Sequence, residues 1–227
     1  MPRDTAARRR APERRSTPAA ATRDPDANRA RILEAATAEF ARCGFGGARV
    51  DRIAAAAGAN KRMLYYYFGN KDALFGAVLE RAYERIRAAE TRLSLLDAAP
   101  DEGVRRLITF TWDYYLAHPE FLALLNSENL LEARHLRGSA KIRTLNTPLI
   151  RTLREILRRG RRQGIFRASP DPLQLYISIA GLAYFFLSNN QTLSAVFARD
   201  LARSATRRQR LAHMTELVLG YLRHGAA

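Results

Sequence analysis

Residues 60 to 75 read NKRMLYYYFGNKDALF, two cations ahead of three consecutive tyrosines and a third cation at Lys71. Arginine and lysine donate to guanine O6 and N7 or to phosphate oxygens, and tyrosine hydroxyls donate to phosphates, so the chemistry on offer is recognition of a nucleic acid. Little else in the chain suits catalysis. There are four histidines (118, 135, 213 and 224) and one cysteine, Cys43, and no base accompanies that cysteine. Glu128 and His135 stand seven apart and can share a helix face, but so can many random pairs. No glycine-rich phosphate loop or metal-spaced cluster occurs, so no catalytic residue, metal or cofactor is expected.

The elements that must position this segment are helical. Asn60 suits the N-cap of a helix starting at Lys61. Leu64 and Phe68, four apart, then share a buried face, Arg62 and Tyr66 lie nearly opposite, Met63 and Tyr65 flank them, and Tyr67 is nearer the buried side. A short helix over 50–57 precedes it, stopped by Gly58. The first helix is capped by Asn28 or Asp26, carries Ile32, Ala36, Phe40 and Cys43 on one face, and ends at Gly44. Three short helices with a tight glycine-containing turn between the last two make a helix-turn-helix unit. Residues 29–71 carry eight cations against three acids. The candidate DNA contacts are Arg49, Asn60, Lys61, Arg62, Met63, Tyr65, Tyr66, Tyr67 and Lys71, with Lys61 and Arg62 at base edges and Lys71 on phosphate.

Composition agrees with a polyanionic partner. The formal net charge of the 227 residues is +16, and 35 of the 38 basic residues are arginine, which favours double-stranded DNA over an anionic membrane face once the local pattern is weighed. A single cysteine excludes an internal disulfide and suits a reducing cytoplasm. The longest apolar run, YISIAGLAYFFL, is too short to span a bilayer, and the first residues lack the apolar core of a signal peptide, so a cytoplasmic protein without membrane contact is expected. Residues 1–28 hold four prolines and seven arginines with no large aliphatic after Met1, and read as a disordered basic arm, either a solvated tail or a segment lying along DNA.

The stretch GFGGARVDRIAAAAGANKRMLYYYFGNKDALF resembles the DNA-binding signature of the TetR/AcrR family of bacterial transcriptional regulators. The resemblance is carried by Phe45, Ile53, Ala54, Ala57, Gly58, Leu64, Tyr65, Phe68, Lys71 and Leu74. Arg49 stands where the family usually has Ser or Thr ahead of the second helix, and Arg62 and Met63 stand where a small residue and Thr usually open the recognition helix. The resemblance implies an all-α protein: a helix-turn-helix domain over 29–73 and a larger helical effector-binding and dimerisation domain over 74–227. It also implies a homodimeric repressor that binds a near-palindromic operator and is released by a small-molecule effector.

The rest of the chain is compatible with that plan. No alternating apolar run predicts a strand. Asn70 can cap a long helix to about residue 91, Pro100, Pro119, Pro148, Pro170 and Pro172 divide the chain beyond it into further helices, and Gly160 or Gly164 ends one of them. DPLQLYISIAGLAYFFLSNN is apolar on more than one side, and RQRLAHMTELVLGYLR carries a stripe, so Ile177, Ala180, Gly181, Tyr184, Leu211, Met214, Leu217, Val218 and Tyr221 are the expected dimer interface. Effector candidates are the polar and aromatic residues within apolar helices: Trp112, Tyr115, Asn126, Glu128, Asn129, His135, Tyr176 and Asn189. HPEFLALLNSENLLEARHL and DPLQLYISIAGL resemble a subset of the family that includes regulators of nicotinate and related heterocycle catabolism, which implies a planar aromatic or heterocyclic acid. Ten cations against Glu155 alone over 137–167 read as a solvated basic face.

Overall fold

The computed structural model describes residues 24–167 and 170–224, and every regular element among them is a helix. In chain order these are α1 (Pro25–Gly47), α2 (Val50–Ala56), α3 (Lys61–Phe68), α4 (Lys71–Thr91), α5 (Pro100–Ala117), α6 (Pro119–Leu130), α7 (Arg134–Arg137), α8 (Ala140–Arg162), α9 (Pro172–Ser188), α10 (Asn190–Val196) and α11 (Ser204–His224).

Helix starts obey capping chemistry. Asn60 Oδ1 accepts from Met63 N and Asn70 Oδ1 from Ala73 N, both at 2.8 Å, so α3 and α4 begin where their asparagines dictate. For α1 the cap is Asp24, whose side chain accepts from Asp26 N, rather than Asn28 or Asp26. With Pro25 at the first helical position, α1 takes in residues 25–28; the rest of the expected basic arm, 1–23, lies outside the described residues. Gly44 does break the helical geometry (φ 65°, ψ 175°), yet a further turn runs on to Gly47. Pro100, Pro119 and Pro172 each open a helix. Pro148, expected to separate helices, lies inside α8. The carbonyl it leaves without a donor belongs to Thr144, which is exposed, so water can replace the lost bond.

Two apolar clusters organise the packing. The first joins Ile32, Ala36 and Phe40 of α1, Ile53 of α2 and Leu64 and Phe68 of α3 to Leu74, Phe75, Val78 and Leu79 of α4, with Leu124 of α6 and Ile142 of α8 closing it. A boundary at residue 73 therefore cuts a continuous core: α4 serves both halves of the molecule. The second cluster gathers α5, α8, α9 and α11 around Leu107, Ile108, Trp112, Leu153, Ile156, Ile179, Met214 and Leu222.

Gly164, not Gly160, takes the left-handed conformation after α8 (φ 68°). Gly160 is helical, and its lack of a side chain matters for a different reason: a Cβ there would lie 2.0 Å from the Phe166 ring. Phe166, fully buried, uses that space to fold the chain back over the helix end. We expect Gly160→Ala to destabilise the protein by ~1–3 kcal/mol through overpacking, although alanine is the better helix former. Urea unfolding checks this, and a neutral or stabilising result would contradict the packing.

Candidate DNA-reading face and internal cavity

On α3 the buried and exposed faces divide cleanly. Leu64 and Phe68 are in the core, while Tyr66 is 82% exposed. Arg62 is exposed and has no hydrogen-bond or ion-pair partner among the described residues. No acid sits in the first turn of α3, so its positive helix end and Arg62 point the same electrostatic way. Tyr65 is also exposed, Met63 and Tyr67 are half-buried, and Tyr66 and Tyr67 pack edge to face at 5.4 Å. The other two cations are differently placed. Lys61 is held by Asp51 of α2 at 3.0 Å, and Lys71 sits 4.9 Å over the Phe45 ring. Asn60 spends its carbonyl oxygen on the cap. Arg49 precedes α2 without a side-chain cap; its backbone N–H donates to Glu39 Oε1 at 3.2 Å. Glu39, buried on α1, also holds Arg42 at 2.5 Å, and that hydrogen bond is the main cause that keeps its carboxyl below the usual range. The acid thus anchors the start of α2 from another helix, through the N–H of the capping residue rather than the first-turn N–H groups a hydroxyl would satisfy, a role no local pattern reveals.

The head is tied to the rest of the chain through a second set of bonds. Ser127 Oγ accepts from Phe45 N at 2.9 Å. Glu128, wholly buried, accepts from the backbone N–H groups of His135 and Leu136 and pairs with His135 Nδ1 at 2.7 Å. The other ring nitrogen faces Asp72 at 3.3 Å, where Arg134 also pairs at 2.7 Å. His135 packs against Phe45 and Phe75, ring centroids 5.2 and 5.0 Å away. Glu128 and His135, expected at an effector, instead fasten α6 and α7 to the start of α4.

A cavity of about 710 Å³ opens between the second half of α4, the loop after it and α8. Leu95, Leu145, Pro148 and Leu149 give it apolar walls, and Glu84, Arg87, Glu90 and Asp97 line it with charge. Arg87 pairs with Glu90 at 2.5 Å and donates to the Tyr176 hydroxyl at 2.8 Å. Burial pushes the Glu90 carboxyl up to about 7, against the pull of Arg87. Of the eight expected effector residues none lines the cavity; Tyr176 bonds a lining residue, Arg87, and Tyr115 lies behind it. Trp112 packs on Phe186 and Tyr115 on Phe121 in the core. Asn126 bonds Ser188 and Tyr184, Asn189 bonds the Phe185 carbonyl, and Asn129 is on the surface. Isolated polar residues in apolar helices found partners within the core, whereas the cavity is lined from α4 and α8. A readable signal existed: Tyr83, Ile86, Arg87 and Glu90 recur at helical spacing, which puts two charges on an apolar stripe.

The expected dimer face needs a similar correction. Met214 and Val218 are buried within the same chain, and Tyr184 turns inward to Asn126. On α9 the inward positions are Leu175, Ile179, Ala183 and Phe186. The outward ones are Leu173, Ile177, Gly181 and Phe185, with Ile177 51% and Phe185 57% exposed; Leu217 and Tyr221 of α11 are half exposed as well. Ala180 and Leu211 are intermediate. One residue along a helix is a rotation of about 100°, so a stripe spanning 217 and 218 had to divide.

The sequence matches the family described as bacterial regulatory proteins, tetR family, over residues 32–78. It also matches the Tetracyclin repressor-like C-terminal domain over residues 100–218. The chain belongs to the TetR family of bacterial transcriptional regulators. It is similar to the HTH-type transcriptional repressor NicS of Pseudomonas putida, 41% identical over 198 residues that cover 87% of this chain and 93% of that one. The HTH-type transcriptional repressor SCO4008 of Streptomyces coelicolor is 49% identical over 112 residues, 48% of this chain and 54% of that protein. Among solved structures, the regulator SCO4942 of Streptomyces coelicolor aligns with a TM-score of 0.62 at 28% identity, covering 84% of this chain and 96% of that one. As a TetR-family member the protein is a regulator rather than an enzyme. Among its described residues no helix is long and apolar enough to cross a membrane, and no group of three potential ligands could hold a metal ion.

The Glu90 carboxyl makes a pH prediction with a definite sign. Its folded value, about 7, lies above its ordinary 4.5, so between those values the folded state binds more protons than the unfolded one, and its contribution to stability falls as pH rises through that window. The melting temperature of Glu90→Gln relative to the parent should therefore climb from pH 5 to pH 8. The lost bond to Arg87 adds a constant offset only. A difference that stays flat or falls with pH would contradict a raised carboxyl.

Proposed function

We propose that this TetR-family regulator is a homodimeric repressor that reads a near-palindromic operator through the outer face of α3 and leaves it when a small organic effector enters the cavity between α4 and α8. The observation that carries the reading is the division of α3: Arg62 faces outward with no hydrogen-bond or ion-pair partner among the described residues and Tyr66 is 82% exposed, on a helix whose opposite face is locked into the core. Arg62 is the base reader at the helix N-terminus. Arg49, Tyr65 and Tyr66 reach phosphates, Met63 and Tyr67 pack against the backbone of the groove, and Asn60 holds the helix end. Lys61 and Lys71 act mainly by field, since Asp51 and Phe45 already engage them.

The exposed stripes of α9 and α11 are the surfaces that pair about a two-fold axis, through Leu173, Ile177, Gly181, Phe185, Leu217 and Tyr221. Two recognition helices then meet successive major grooves, roughly 34 Å apart. The NicS and SCO4008 relatives are named as repressors, which supports the sign of the regulation. The structure of AibR with isovaleryl coenzyme A and operator DNA has the same fold (TM-score 0.62, 22% identity, 84% of this chain and 97% of that one).

Transmission runs along α4. Its first turns lie in the head core, and its second half lines the cavity opposite α8. Ser139 and Lys141 at the start of α8 bond Glu80 and Glu84 of α4 at 2.8 and 2.6 Å. A ligand that separates the two helices stretches these bonds and tilts α4, which respaces the heads. Operator affinity falls only by the ligand's preference for that state.

Arg62→Ala should weaken operator binding by ~1–3 kcal/mol while sparing binding to random DNA. Fluorescence anisotropy on both DNAs decides, and equal losses would remove the base-reading role. Ile177→Arg places a charge at the centre of the proposed interface and should yield a folded monomer by sedimentation velocity; an intact dimer would place the interface elsewhere.

A further inference from the structure

The protein carries a net charge of +16, yet three of the four charged residues lining its cavity are acids: Glu84, Glu90 and Asp97, against Arg87. That single cation is already committed to Glu90 and to the Tyr176 hydroxyl. The Asp97 carboxylate, in the loop after α4, has no ion-pair or hydrogen-bond partner among the described residues. Lys141 reaches Glu84 from the start of α8, and Arg159 of the same helix donates to the carbonyls of Leu96 and Ala98 in the loop, but neither lines the cavity. The α8 wall itself consists of Thr144, Leu145, Pro148, Leu149 and Thr152 and presents no charge. A carboxylate entering here would meet no free cation and would lie against Glu90 and Asp97 in a partly desolvated space, where like charges repel strongly.

Resting on the reading of this cavity as the effector site, we propose that it selects an organic cation, an amine, amidine or protonated nitrogen heterocycle carried on an apolar body. The positive end lies toward Glu90 and Asp97 and the body against Leu95, Leu145, Pro148 and Leu149. The volume is that of a site for a compact drug-sized molecule. The planar acid implied by resemblance alone has the opposite charge.

The raised Glu90 carboxyl supports this reading. A cation binds its ionised form best, so affinity should rise with pH through about 7. Arg87 on α4 is the charged group that acts on Glu90, with Tyr176 on α9 behind Arg87 and Tyr114 and Tyr115 on α5 beyond; Glu84 and Asp97 line the same cavity, and the α8 wall contributes no charge. Glu90 is placed to titrate near neutrality.

The test is calorimetric titration of the full chain with three probes on one skeleton: tryptamine, indole-3-propionate and 3-ethylindole. Tryptamine should bind at least about tenfold more tightly than the carboxylate, as expected for one added charge contact in a partly buried site. Glu90→Gln and the exposed Asp97→Asn should each shrink that preference, Asp97→Asn guarding against a fold defect in the buried variant. Equal or tighter binding of indole-3-propionate, or no binding by tryptamine at millimolar concentration, overturns the assignment. Ala88→Trp, which fills the cavity mouth, separates the two readings. If it abolishes binding of whichever probe binds, the cavity stands whatever its charge preference. If tryptamine binds the filled variant unchanged, the site lies elsewhere and both readings fall.

Discussion

The head of this protein cannot close its own core. From Pro25 to Phe68 the chain offers three helices, and their apolar faces around Ile32, Phe40, Ile53 and Leu64 leave one side uncovered. So short a segment buries too small a fraction of its surface to be stable alone. Leu74, Phe75, Val78 and Leu79 of α4 cover that side, with Leu124 and Ile142 from the other half completing it. The physical need to bury one apolar face thus makes α4 part of the DNA head, and the same unbroken helix continues to the cavity. The proposed coupling between the two sites would follow from that constraint, because α4 runs unbroken from the head core to the cavity.

Charge is distributed to serve this arrangement. The buried acids Glu39 and Glu128 each satisfy backbone N–H groups on a neighbouring element, Arg49 in one case and His135 and Leu136 in the other. Both stabilise a join between helices that hydrophobic contact alone would leave free to slide. The arginines of α8, by contrast, mostly face solvent, and Glu155 pairs with Arg158 on that exposed surface. They add to the positive field of the molecule and little to its fold. Glu84, Glu90 and Asp97, by contrast, line the cavity between α4 and α8.

Helix α9 shows how one sequence serves two surfaces. Its apolar residues run all round, with Leu175, Ile179 and Ala183 held inside and Leu173, Ile177 and Phe185 left outside. A helix of this kind is stable in water only if both sides are covered. The intramolecular core covers one, and a second copy is the proposed cover for the other.

The all-helical class, the helix-turn-helix, the caps at Asn60 and Asn70 and the outward face of α3 are set by local chemistry: helical periodicity, asparagine side chains that reach backbone N–H groups, and glycines that stop helices. These depend on neighbours within a turn or two, so the sequence determined them by itself. The family signature is likewise a pattern of spacing over one contiguous stretch. Tertiary structure decided what depends on residues far apart in the chain. It sent Met214 and Val218 inward, because which side of an apolar helix meets the core depends on the packing of α5 and α9. It turned Glu128 and His135 into a clasp, placed Pro148 within a helix, and drew Glu84, Arg87, Glu90 and Asp97 around one cavity. A polar residue's partner is found by proximity in space, and only the folded chain sets that proximity.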